Sequence, residues 1–153
     1  MNSEEEIYLH YFVCVKALND AWVILKTIRE NPEGGHLVSP AFSFALIEYA
    51  KPYKESRGNV KWRNALDATH VPSDMLPLHQ ELLDWRDQVL AHTDMTILNA
   101  AILAKSQPHS GVALISSNII DPTKHLARID EIISLVEKTL DSMYARVPPI
   151  GTP

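Results

Sequence analysis

From Glu4 to Glu30 the chain runs for 27 residues without a glycine or a proline. Nothing in that run interrupts the hydrogen-bond ladder of a helix, and Ser3 followed by Glu6 has the spacing of a capping box. At about 100° per residue, Ile7, Cys14, Ala17, Leu18, Ala21, Trp22, Leu25 and Ile28 share one face, with Lys16, Asn19, Lys26 and Glu30 opposite. This is a long first helix with a broad buried side, and together with the three further helical segments it makes all-α the expected fold class. "NPEGG" at 31–35 then ends it, because proline and paired glycines continue a helix only at high cost.

Three further segments carry helical spacing. Ser39-Pro40 reads as an N-cap and first-turn proline for a second helix with Phe42, Ala45, Leu46, Tyr49 and Tyr53 on its face, ending near Pro52. Ser73 and Asp74 open a third, "LHQELLDWRDQVLAHTD" at 78–94. Asp121-Pro122 opens the last, where Leu126, Ile129, Ile133, Val136, Leu140, Met143 and Val147 repeat at the helical period. Between the third and last helices, two short apolar runs flank "SQPHSG", the composition of a turn. The expected architecture is an up-and-down bundle of four to five helices with a short irregular or β-hairpin insertion near 97–118. One domain spans 1–147 and a flexible tail 148–153.

A chain of 153 residues with 46% hydrophobic residues can bury one substantial core. No apolar run reaches membrane-spanning length, and the start "MNSEEEIY" lacks the basic stretch of a signal peptide, so a cytoplasmic location is expected. The single cysteine, Cys14, lies in an apolar run and reads as a core residue. With 14 Lys and Arg against 19 Asp and Glu, any contact with nucleic acid must be local rather than spread over the surface. The seven histidines are scattered and no glycine-rich phosphate loop occurs, so neither a metal nor a cofactor is expected. The wide apolar face of the first helix exceeds the needs of one bundle, and a homodimer would use the surplus.

In the third helix, Met75, Leu82, Leu83, Val89 and Leu90 fall within about 80° of a line on which Arg86 itself lies, with His79 about 20° away. A guanidinium on an apolar stripe needs a partner. Glu48, Asp20 or Asp94, backbone carbonyls, water in a cleft or a ligand phosphate would each serve. His79 reads as a hydrogen-bonded core or interface histidine. His92 lies six residues beyond Arg86 and about 120° around a straight helix, so the two meet only if the helix bends or ends near Ala91, or across a dimer. With Thr93 and Asp94, His92 also suits a helix C-terminus. The segment "KPYKESRGNVKWR" at 51–63 is basic, and Lys51, Lys54, Arg57, Lys61 and Arg63 with Tyr53 and Trp62 could guide a strand of RNA or serve only as a solvated loop.

"RDQVLAH" at 86–92 resembles the Arg-x(4 to 6)-His motif of the HEPN superfamily (higher eukaryotes and prokaryotes nucleotide-binding domains). The wider pattern from "EYAKPYKESRG" to "LHQELLDWRDQVLAHTD" resembles a bacterial, abortive-infection-related group of that superfamily. Tyr49, Pro52, His79, Arg86, Asp87, His92, Thr93 and Asp94 stand in order, while Lys51 occupies a place where an arginine is expected and lacks its bidentate fork. The resemblance implies a helical dimer whose two motifs share a cleft. For many members it implies metal-independent RNA cleavage as a toxin or phage-defence effector; for others, a silent module binding RNA, nucleotide or a partner such as an antitoxin. Carried over, Arg86 and His92 are catalytic with Asp87 in support. Tyr49, Lys51, Lys54 and Arg57 bind RNA or phosphate, and His79, Thr93 and Asp94 play supporting parts.

Overall fold

The computed structural model describes residues 3–57, 63–90, 101–103, 114–116 and 123–148. Helix α1 spans Ser3–Glu30 and α2 Val38–Ala50. Helix α3 spans Leu76–Leu90, and the C-terminal part holds α4 (Thr123–Leu126) and α5 (Ile129–Ala145). The chain is thus predominantly helical. Two-residue strands β1 (Ser56–Arg57) and β2 (Arg63–Asn64) pair antiparallel, as do β3 (Ala101–Leu103) and β4 (Leu114–Ser116), with Ile102 opposite Ile115. The rest of the expected insertion at 97–118 lies outside the described residues.

Helix α1 is the centre of the packing, with α2 on one side and α5 on another. Successive ties from Tyr11 to Met143, Trp22 to Glu137 and Arg29 to Asp130 run in opposite directions along α1 and α5, so these two helices are antiparallel. Cys14, Leu18, Ala21 and Leu25 of α1 meet Phe42, Ala45, Leu46 and Tyr49 of α2 and Ile132, Leu135, Val136 and Met143 of α5 in one core. Helix α3 packs on α2 and adds Leu78, Leu82 and Trp85, with the Trp85 ring edge-on to Phe42.

The turn between α1 and α2 depends on Gly35, whose φ of 62° is a conformation that a side chain disfavours. Helix α2 begins at Val38, one residue before the expected Ser39 cap, and Leu37 caps it without a side-chain hydrogen bond. Pro40 falls in the first turn, where no N–H is needed. The face Phe42, Ala45, Leu46 and Tyr49 is fully buried, and the helix gives way at Lys51–Tyr53 to a 3-10 turn that contains Pro52.

Three expectations are corrected. Ile7 is 55% exposed although it shares the angle of the core residues. The last turn of α5 meets α1 at Tyr11, whose hydroxyl donates to the Met143 carbonyl at 2.6 Å. Tyr11 and Val15 are buried instead. The last helix is two: the chain turns at Ala127-Arg128, where the Arg128 N–H donates to the His125 carbonyl before the ladder resumes from Ile132 to Arg128. The Arg128 guanidinium donates to Glu81 of α3 at 2.8 Å and to Glu131 at 2.9 Å, which holds the bend against α3. Val147 lies past the end of α5 and is exposed, while Ile132, Leu135 and Thr139 join the buried face.

Cys14 is a core residue, and burial pushes its thiol up to about 11. Only the thiolate reacts readily. A maleimide or disulfide reagent at pH 8 is therefore expected to modify the folded chain at least roughly a hundredfold more slowly than the chain in denaturant. Equal rates, followed by mass spectrometry, would contradict a closed α1 face.

Candidate phosphate-binding site

The site is built where the end of α2 crosses α3. Proline at 52 ends α2, and the backbone after the 3-10 turn extends at Lys54 (φ −101°, ψ 142°). Lys54 then reaches α3, where its Nζ donates to Asp87 Oδ2 at 2.7 Å. Arg86 Nη1 donates to the other oxygen of the same carboxylate, Oδ1, at 2.8 Å. One carboxylate thus bridges two cations that are 32 positions apart in the chain. The hydrogen bonds from Lys54, then from Arg86, hold the Asp87 carboxyl below its ordinary range.

Behind this surface group lies a buried aromatic cluster. His79 is buried on α3, and its Nδ1 shares a 2.7 Å hydrogen bond with the Tyr49 hydroxyl of α2. The direction of that bond follows the imidazole tautomer. Tyr53 lies edge-on to His79 with ring centroids 4.4 Å apart. Burial pushes the His79 imidazole below its ordinary value, which favours the neutral ring, and pushes both tyrosines well up. The Tyr53 hydroxyl is near enough to Tyr49 and Thr139 to feel them but closes no hydrogen bond of normal length and angle.

The two segments that carry the family resemblance therefore meet: Tyr49 and Tyr53 at His79, and Lys54 at Asp87 and Arg86. Several expected roles change with this placement. Tyr49 is fully buried, so its ring stands behind the site and does not face a ligand. Tyr53 is only partly buried, with its hydroxyl sealed from solvent. Lys51 pairs with the buried carboxylate of Glu48 and lies over the Phe44 ring at 6.0 Å. Arg86 pairs with Asp87 rather than Glu48 or Asp20, whose partners are Lys51 and Lys16. The backbone of Arg57 pairs with Arg63. His92, Thr93 and Asp94 lie outside the described residues, as does any meeting of His92 with Arg86.

Arg86 also sits to one side of the stripe rather than on its axis. Among the described side chains of α3, Leu78, His79, Leu82 and Trp85 are buried, while Leu76 is exposed. Their axis is rotated about 50° from the line on which Arg86 lies, toward Trp85. Arg86 consequently has its Nε buried without a hydrogen-bond partner while its side chain remains 23% exposed. The stem packs on the core and the head reaches the surface. The tryptophan that shifts the stripe was legible in the sequence at position 85. The Lys54 to Asp87 tie left no local signal.

Among the described residues, no group of three or more His, Cys, Asp or Glu is arranged to hold a metal ion, and no helix is long and apolar enough to cross a membrane. Comparison with protein-family models, with curated proteins and with solved structures returned no match.

Proposed function

We propose that this chain is a HEPN-type, metal-independent endoribonuclease of the toxin or phage-defence kind, acting in the cytoplasm as a homodimer with a composite Arg86/His92 site. The observation that carries the reading is the meeting of Lys54 and Arg86 at one surface carboxylate. It sets two cations from the two resembling segments on the two oxygens of one carboxylate, as a phosphodiester would be held by its two non-bridging oxygens. In this reading Arg86 stabilises the charge that builds on phosphorus during attack by the 2′-OH, and His92 transfers the proton near neutral pH. Asp87 or Asp94 orients the His92 imidazole, and Lys54, with Arg57, guides the strand.

The single domain of 1–147 forms an up-and-down bundle with the hairpin insertion at 97–118. Leu9, Phe12, Val13 and Val23, all exposed along α1, supply an apolar surface for the second copy. A regulatory partner such as an antitoxin belongs to the same reading. A second reading is favoured by one feature: Arg86 is already occupied by Asp87. This suits a catalytically silent HEPN-like module that binds RNA, nucleotide or a protein.

The test is an RNA-cleavage assay in chelator, on single-stranded and structured RNA, with wild type, Arg86→Ala and His92→Ala. Wild type is expected to leave 2′,3′-cyclic phosphate ends, and each variant to lose at least about a hundredfold in rate. Equal cleavage by all three would trace the activity to a co-purified nuclease. RNA binding without cleavage would leave the second reading.

A further inference from the structure

We propose that Asp87 is an internal stand-in for phosphate, which closes the Lys54/Arg86 pair in the resting protein and must leave before a phosphate group binds. The inference rests on the reading of Lys54 and Arg86 as phosphate ligands and deepens it with a means of control.

Three features of the cluster carry it. The first is stoichiometry: each oxygen of the carboxylate is used by one cation, at 2.7 and 2.8 Å, as the two non-bridging oxygens of a phosphodiester would be. The second is position. Asp87 is the most exposed of the three side chains at 52%, against 35% for Lys54 and 23% for Arg86, so the anion is the outermost member of the cluster. Solvent reaches the carboxylate most readily, and Asp87 can swing out without disturbing the core. The third is the energetics of the contact. Ion pairs at the surface are weakly held and screened by salt, and two cations sharing one carboxylate keep a net positive charge. An arriving phosphate meets that residual charge while the carboxylate departs to water.

The partners of Arg86 fit the same device. Its stem is fixed by the packing that buries Nε, and Asp87 holds only the Nη1 end. Adjacent positions on a helix do not normally face one another. Here the length of the arginine and the anchor from Lys54 bring them together. Once the carboxylate leaves, Arg86 remains in place because it is held by its stem, and Lys54 stays within reach because the turn after Pro52 fixes its backbone. A residue that merely oriented Arg86 would strengthen phosphate binding; one that competes for it weakens binding.

This difference decides the experiment. Binding of inorganic phosphate and of a short 2′-deoxy oligonucleotide, which cannot be cleaved through a 2′-OH, is measured by titration calorimetry at low salt. The proteins are wild type, Asp87→Asn, Lys54→Ala and the double variant Lys54→Ala/Asp87→Asn, with thermal unfolding checked for each. Asp87→Asn is expected to bind both probes on the order of tenfold more tightly than wild type, and the double variant to lose that gain. If Asp87→Asn binds no more tightly while Lys54→Ala binds more weakly, the stand-in role is overturned and the phosphate site stands. If no variant binds either probe, the phosphate-site reading falls and the stand-in role with it.

Discussion

Phe42→Ala is expected to lower the folding free energy by about 3–5 kcal/mol, the range for truncating a buried phenylalanine in a packed core. Phe42 is fully buried on α2 and faces Trp85 of α3 edge-on, in the same core as Leu18 and Leu25 of α1. Its removal leaves a cavity at the junction of three helices. Phe44, two residues on and half exposed, is the control, and Phe44→Ala is expected to fall within roughly 1 kcal/mol of wild type. Urea unfolding followed by circular dichroism separates the two. Similar midpoints would mean that α2 turns another face to α1.

The second large effect belongs to the buried Tyr49/His79 pair. His79→Leu strands the Tyr49 hydroxyl without its 2.7 Å partner, at a cost of roughly 1–3 kcal/mol for a buried unsatisfied group. Adding Tyr49→Phe removes the stranded hydroxyl, so the double variant is expected to recover most of that loss. A double variant no more stable than the single one would show that the hydrogen bond contributes nothing.

The pair also predicts acid sensitivity. Burial holds His79 below its ordinary value of 6.5, so in the window between that value and its folded value the unfolded chain carries more bound proton. Stability therefore falls as the pH drops from 6.5 through that window and levels off below it; above 6.5 the imidazole is neutral in both states and has no effect. Burial lowers His10 and His70 as well, and they act in the same direction. The share due to His79 is the part of the slope that His79→Leu removes.

How much of this was open to sequence reading differs by element. The buried line of α1 through Cys14, Leu18, Ala21 and Leu25, and that of α2 through Phe42, Ala45, Leu46 and Tyr49, follow from the 3.6 period alone, since each face repeats over several turns. Those faces are local properties of the chain. The end of α2 at Pro52 and the turn at Gly34-Gly35 are local too, because they follow from a missing N–H and from backbone freedom. For the candidate site, the resembling residues from Tyr49 to Asp87 could be picked out in order, but not whether each faces water or core.

Tertiary structure decided the rest. The face that α3 buries was set by α2, which takes Trp85 against Phe42 and leaves Leu76 outside, so Arg86 moved to the rim of the stripe. The bend at Arg128 depends on Glu81 of another helix. Tyr49 became a partner for His79 instead of a surface ligand because the α2–α3 contact closes over it. Spacing within a helix determines which residues point the same way; what they meet depends on neighbours distant in the chain. The 2.7 Å tie from Lys54 to Asp87 is such a meeting, and it brings the two cations together in space.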